Sequence, residues 1–288
     1  MSKIVKSHRG IYYVEKEGQV YLCKARGLFR NKKVKPVVGD EVDISINNDG
    51  TAYIKEIYER RNELLRPPIS NVDQVIVIMS LSSPDINLYT LDKYLLMLEL
   101  SHIETKIIFN KTDLVDKEYS DKISKIYNNI GYDIYLNSNQ ENNGKELLNL
   151  FRNRSTVVTG PSGVGKSTTL NNIFSHFDFE TGSISEKSLR GKHTTRHIEI
   201  SKIDERSYVI DTPGFSALSL DFINDINDIG EGFIEFFKLK NECKFNNCIH
   251  ENEPKCAVKN AVQDKKISES RYKNYLLLLE EFRNLRGY

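Results

Sequence analysis

The chain has 288 residues, of which 39% are hydrophobic and 28% charged, with a formal net charge of +1. That length holds two domains or three small ones, and the composition describes a soluble globular protein. The start, Met1 to Lys6, lacks the apolar core of a secretory signal, and no apolar run approaches a membrane span, so a cytoplasmic protein with no membrane partner and with reduced cysteines is expected.

Residues 1–66 read as an all-β module. Ile11–Val14, Val20–Ala25, Glu41–Ile46 and Ala52–Ile57 are short runs rich in Val, Ile and Tyr, separated by turn residues at Glu17-Gly18, Gly39-Asp40 and Asn48-Asp49-Gly50. In Val42-Asp43-Ile44-Ser45-Ile46 alternate residues are apolar, as a half-buried strand requires. A five-stranded OB-type barrel fits the length, and an SH3-like barrel fits the same pattern. Arg66-Pro67-Pro68 breaks the pattern and reads as a linker. The module is basic, with ten Lys or Arg against two acids in residues 1–35, and residues 254–288 carry eight bases against four acids. Two basic ends suit a polyanion such as RNA.

From residue 72 strands and helices alternate. Gln74–Met79, Lys106–Phe109, Asp133–Leu136 and Thr156–Thr159 read as strands, and Leu88–Leu100, Val115–Ile130 and Lys145–Arg152 as helices. Ile198–Ile203 and Ser207–Ile210 read as a hairpin. The alternation predicts a mostly parallel sheet with helices on both faces. Past Asp221 the strand signals stop; Ile229–Leu239 and a stretch from about Ser268 to Leu285 read as helical.

Two motifs on this sheet define a nucleotide site. Gly160-Pro161-Ser162-Gly163-Val164-Gly165-Lys166-Ser167 is G-x-x-x-x-G-K-S between a strand and a helix. Its glycines let backbone N–H groups turn toward phosphates, Lys166 reaches the β and γ phosphates, and Ser167 binds Mg²⁺. Asn110-Lys111-Thr112-Asp113 is a guanine-reading loop. Asp113 can accept from both N1–H and the exocyclic amine of guanine, a donor pair adenine lacks. Asn110 can meet the opposite edge, Lys111 the ring plane, and Ser138 a backbone contact to the guanine oxygen. In ordinary GTPases the phosphate loop comes first; here it comes second, so the motif order implies a circularly permuted GTPase.

Two further elements follow the phosphate loop. Asp211-Thr212-Pro213-Gly214 matches D-x-x-G, with Asp211 toward Mg²⁺ through water and the Gly214 N–H toward the γ-phosphate. In the polar segment Thr181–Arg196, Thr195 is chosen over Thr194 as the switch threonine on Mg²⁺. Phe215 stands where many GTPases carry a water-positioning Gln, so slow intrinsic hydrolysis is expected, with His193 or a partner completing the chemistry.

Cys243, Cys248, His250 and Cys256 form C-x4-C-x-H-x5-C. Three thiolates and an imidazole make a closed tetrahedral Zn²⁺ site with no open position, which is a structural site. Cys23 stands apart in a predicted strand and reads as a buried apolar residue.

Together these features make the chain resemble the RsgA family of small-ribosomal-subunit-dependent GTPases. The resemblance rests on Val38-Gly39-Asp40, on Arg61-Asn62 to Asn71-Val72-Asp73-Gln74, on the permuted motifs, on Gly191 to Thr195, on Asp211 to Phe215, and on the Cys/His knuckle. It implies an OB barrel (residues 1–66), a permuted GTPase (67–220) and a zinc-binding helical domain (221–288). It also implies late maturation of the 30S subunit, contact with 16S rRNA, and GTP hydrolysis stimulated by the subunit, by a protein expected to be monomeric. Carried onto this sequence, guanine contacts fall on Asn110, Lys111 and Asp113, phosphate contacts on Gly160 to Thr168, zinc on the four knuckle residues, and a catalytic role on His193. Two rival readings remain: an RNA-binding module that nucleotide merely orders, and a P-loop ATPase or kinase acting on nucleic acid, which Asp113 opposes.

Overall fold

Inward-facing apolar side chains build the N-terminal barrel. In a computed structural model of the chain, residues 2–25, 29, 34–47, 51–65, 67–138, 144–174, 199–211 and 219–287 are described. The chain divides into two units: Met1–Ile76 with Asn143–Thr159 and Lys166–Ser216, and Val77–Asn142 with Gly160–Gly165 and Ala217–Tyr288.

In the first unit β1 (Ser2–His8), β2 (Ile11–Lys16), β3 (Gln19–Ala25), β4 (Glu41–Ile46) and β5 (Ala52–Ile57) run in the order β1-β2-β3-β5-β4. The β4 strand pairs back onto β1 and closes the ring, and β3 pairs parallel with β5. This is a five-stranded barrel of the OB type. Ile4, Val14, Cys23, Val42, Ile44 and Ile54 fill its interior. The sequence pattern does not announce β1, because Lys3 and Lys6 interrupt its apolar residues; Ser2 and Ile4 nonetheless alternate inward. Cys23 is fully buried, as expected, and burial pushes its thiol up to about 11.

The residues after the barrel form a polar clasp rather than a plain linker. The strands β6 (Glu63–Leu65) and β7 (Pro68–Ser70) pair antiparallel. Asp40, fully buried, accepts from Arg60 Nε at 2.7 Å, Ser70 Oγ at 2.7 Å and the Val37 N–H at 2.8 Å. Asn62 and Val72 exchange two hydrogen bonds, and the Asn71 amide donates to Gly39 O. A buried carboxylate is stable only when so fully satisfied.

The same unit carries part of the α/β sheet. After β8 (Gln74–Ser80) come α1 (Leu88–Leu100), β9 (Glu104–Asn110), α2 (Lys117–Asn128), β10 (Asp133–Asn137), α3 (Gly144–Phe151), β11 (Ser155–Thr159), α4 (Lys166–Ile173), β12 (Glu199–Lys202) and β13 (Tyr208–Asp211). Within the first unit β11 pairs parallel with β13, β13 antiparallel with β12, and β12 antiparallel with β1 at Lys6↔Glu199. The hairpin expected from the sequence is thus present, and it joins the barrel strand to the sheet.

In the second unit the order is β10-β9-β8, with β9 and β10 parallel. Four short or long helices follow: α5 (Ile226–Glu231), α6 (Ile234–Phe237), α7 (Ala257–Gln263) and α8 (Glu269–Arg286). The single helix expected over Ile229–Leu239 is instead α5 and α6, broken at Gly232. A Cβ there would lie 2.2 Å from Leu96 Cδ1, so the break lets the backbone pass close to α1. Leu96, Ile229, Phe233, Phe236, Tyr275 and Leu279 share one buried apolar cluster.

A buried ion network crosses this cluster. Arg271 of α8, 1% exposed, bonds Asp92 Oδ1 of α1 at 2.7 Å and both oxygens of Glu235 of α6 at 2.9 and 3.1 Å. Asn274 and Tyr127 also donate to Asp92, and the guanidinium lies 4.2 Å from the Phe233 ring centroid. Among the described residues no helix is long and apolar enough to cross a membrane.

Candidate functional site

The strand β9 ends at Asn110, and the chain then turns sharply: Lys111 adopts a left-handed conformation at φ 59° and a 3₁₀ turn follows over Thr112–Leu114. The turn places four side chains at one end of the sheet. Asn110 is 1% exposed; its Nδ2 donates to Val164 O at 2.9 Å, and its Oδ1 accepts from Asn137 Nδ2 at 2.7 Å. Lys111 Nζ donates to Gly163 O at 2.9 Å and also to Ser83 O. Thr112 Oγ1 donates to Asn137 O at 3.2 Å, and Ser138 Oγ donates to Asp113 Oδ1 at 2.9 Å. Ser138 is buried and Asp113 exposed, so the carboxylate is oriented by a fixed donor while open to solvent.

The other half of the site is the loop Gly160 to Gly165. Gly160 has φ 144°, and a Cβ there would meet Ile78 O at 2.0 Å, so only glycine permits this approach to β8. Pro161, Ser162 and Gly163 carry the chain outward, Val164 is buried, and Gly165 leads into α4, whose first turn holds Lys166, Ser167 and Thr168. The two motifs read separately in the sequence are therefore directly bonded, through Asn110 to Val164 and Lys111 to Gly163. Sequence reasoning passed over Asn137 and Ser83, the two residues that brace Asn110 and Lys111. A lone polar residue at a strand end carries no spacing signal that would have found them.

Asp211 ends β13, and in the parallel register its backbone lies beside Val158, two residues before Gly160. His193, Thr195 and Gly214, and the segment Thr181–Arg196 around the first two, lie outside the described residues.

The Cys/His knuckle is assembled between α6 and α8. The ligand atoms of Cys243, Cys248, His250 and Cys256 all lie within 4.8 Å of one another. Cys243 Sγ stands 3.5 Å from His250 Nδ1 and 3.9 Å from Cys256 Sγ, and His250 Nδ1 stands 3.3 Å from Cys256 Sγ. A tetrahedron with metal bonds of about 2.0–2.3 Å has edges of about 3.3–3.8 Å, so the donor set fits Zn²⁺. The Ala257 and Lys259 N–H groups point at Cys243 and Cys256 sulfur, as they do for thiolates. Burial depresses His250 and so favours the neutral, ligating imidazole, whereas it pushes the Cys248 thiol up to about 12. A divalent cation at the centre reverses that second preference. Tyr272 and Tyr275 of α8 hold the knuckle through the carbonyls of His250 and Ile249.

Two family models match adjoining stretches of the chain: RsgA GTPase matches residues 57–221, and the RsgA N-terminal domain matches residues 2–54. The chain belongs to the RsgA GTPase family. The small ribosomal subunit biogenesis GTPase RsgA of Alkaliphilus metalliredigens (strain QYMF) is 42% identical over 289 residues, with 99% of each chain covered. That of Clostridium botulinum (strain Hall) is 46% identical over 287 residues, with 98% of this chain and 97% of the relative covered. Among solved structures, YloQ, a circularly permuted GTPase, matches with a TM-score of 0.79 and 36% identity over 98% of this chain and 94% of its own. YjeQ from Thermotoga maritima matches with a TM-score of 0.82 and 34% identity over 97% of each chain. Membership of the RsgA family makes the chain a GTP-hydrolysing enzyme with a circularly permuted fold, an N-terminal barrel and a C-terminal Cys₃His cluster suited to zinc.

Proposed function

We propose that this GTPase acts in late maturation of the small ribosomal subunit, binds the 30S particle, and hydrolyses GTP to GDP and phosphate under the subunit's stimulation. The observation that carries the reading is the bonded pair of loops, Asn110 to Val164 and Lys111 to Gly163, on a chain whose relatives are named for small-subunit biogenesis. The division of labour follows three domains, 1–66, 67–220 and 221–288, in a cytoplasmic monomer. The basic barrel and the zinc-binding segment grip 16S rRNA, and the central domain times release.

In this reading Asp113 accepts from the guanine N1–H and exocyclic amine, Asn110 and Lys111 hold the base edge and face, and Ser138 supplies the backbone contact. Backbone N–H groups from Gly160 to Thr168 cradle the phosphates, and Lys166 neutralises their charge. Mg²⁺, when bound, neutralises charge developing on the phosphates; Ser167, Thr195 and Asp211 would hold it. Gly214 senses the γ-phosphate, and His193 or a group of the subunit orients the attacking water.

GTP turnover measured with and without purified 30S subunits tests the reading. A rise of at least an order of magnitude is expected; turnover that stays at background with the subunit bound favours the module in which nucleotide only orders RNA binding. The substitution Asp113→Asn tests the base assignment. It should move preference from guanine toward xanthine by about two orders of magnitude, because the site's hydrogen-bond pattern is inverted rather than lost. An unchanged base preference removes Asp113 from the site and reopens the ATPase reading.

A further inference from the structure

The structure brings together lysines that the sequence scatters. Lys117, Lys122 and Lys125 on α2 and Lys265 and Lys266 in the turn between α7 and α8 line one groove of about 640 Å³ in the second unit. All five are exposed. Glu118 and Asp121 also line it, each four residues before a lysine of the same helix, yet neither forms an ion pair with Lys122 or Lys125 among the described residues. Lys266 pairs with Asp264, itself exposed, at 3.3 Å. The groove therefore presents five ammonium groups against two carboxylates, and among the described residues four of the ammonium groups form no ion pair.

One of these lysines sits where stability does not ask for it. The helix α7 ends in a Schellman motif: Lys265 N–H donates to Val262 O and Lys266 N–H to Ala261 O. Lys265 holds the left-handed position of that motif at φ 60°. Glycine is the usual occupant, and a side chain there costs about 1 kcal/mol. The chain keeps a cation at a position where backbone energetics favour none.

We infer that this groove is a docking surface for the phosphate backbone of RNA. It rests on the reading of the chain as a 30S-binding GTPase, and it assigns an RNA contact to the face shared by α2 and the α7–α8 turn. Flexible, unpaired ammonium groups spread along a groove suit a line of phosphates, which are contacted for position rather than sequence. The acidic surface of a protein partner is the competing occupant.

The test uses the full chain with the triple change Lys122→Gln, Lys125→Gln and Lys265→Gln, and reads affinity for purified 30S subunits and for protein-free 16S rRNA over about 50–200 mM salt. Each lost phosphate contact should lower the slope of log affinity against log salt by about 0.7–0.9, so a drop of about two to three is expected on both probes. The opposite change, Glu118→Gln with Asp121→Asn, should tighten binding, which a damaged fold cannot mimic. Lys265→Gly alone should weaken RNA binding while leaving the melting temperature equal or higher. GTP turnover without subunits should stay unchanged in every variant. Wild-type binding to subunits with an unaltered slope in the triple variant overturns the inference and leaves the proposed function standing. A loss seen on subunits but not on protein-free RNA overturns it in favour of an acidic protein surface. If the wild type binds no subunit at all, the proposed function fails, and the slope on protein-free RNA decides the groove by itself.

Discussion

The nucleotide loops and the Cys/His knuckle occupy the same unit and hold their shapes by opposite means. The loops are organised by neutral donors on fixed acceptors: an amide on Val164 O, a second amide on Asn110 Oδ1, a hydroxyl on Asp113, with Lys111 on backbone carbonyls. None of these bonds needs a nucleotide. The knuckle instead gathers three sulfurs and an imidazole nitrogen within 4.8 Å, and burial holds the Cys248 and Cys256 thiols back from ionisation. One region is tied by hydrogen bonds among its own residues, and the other offers a donor set that a metal would tie.

The largest effect that can break this contrast is metal removal. Chelation, or Cys256→Ser, should release one zinc per chain and cost several kcal/mol of stability, because binding energy at a structural site is folding energy. Hydrogen exchange should rise across residues 243–256, while GDP affinity stays within about threefold if the loops depend only on hydrogen bonds. A collapse of GDP affinity in step with zinc loss would show that the two regions are one cooperative structure.

Next in size is Arg271, which ties the helix behind the knuckle to α1 and, through Asp92, to Tyr127 of α2. The substitution Arg271→Met leaves Asp92 and Glu235 buried without their cation, at a cost of about 3–5 kcal/mol near neutral pH. Desolvation already raises the Asp92 carboxyl above its ordinary value, and Arg271 opposes that rise. Removing the guanidinium lifts it further. The folded variant then holds a proton that the unfolded chain releases near pH 4, so its stability falls as pH climbs from there through the folded value. Melting curves should show a larger deficit at pH 8 than at pH 5. An equal deficit at both assigns the loss to packing on Phe233 and Tyr127 rather than to charge.

The two loops were legible in the sequence because G-x-x-x-x-G-K-S and N-K-x-D set residue types at fixed spacing, whatever the surrounding fold. The knuckle was legible for the same reason. The barrel's middle strands were readable from alternation, but β1 was not, since Lys3 and Lys6 occupy its outward positions. Arg271 and Asn274 stand on the same helical stripe as Tyr275, Leu278 and Phe282, a pattern that marks a buried polar pair once the helix is drawn. Their partner Asp92 lies 179 residues from Arg271 and 182 from Asn274, and no local rule connects them. The lysine groove is hidden for the same reason: its cations come from segments separated by about 140 residues of chain.

Asn137 gives the smallest and sharpest test of how the loops are built. Its Nδ2 fixes the orientation of the Asn110 amide by bonding Oδ1, which directs the Asn110 Nδ2 to Val164 O. Asn137→Ala removes a donor from a buried oxygen, a loss of about 1–2 kcal/mol, or about 5- to 30-fold in GDP and GTP affinity. The loss should be equal for guanine and xanthine nucleotides, because Asp113 is untouched. Asn137→Asp should weaken binding more than the alanine change: a carboxylate facing Asn110 Oδ1 favours the flipped amide, which would set two carbonyl oxygens against each other at Val164. Isothermal titration of both variants with GDP orders them. If alanine proves the more damaging of the two, Asn137 acts by filling space, and the Asn110 amide is oriented by the phosphate loop alone.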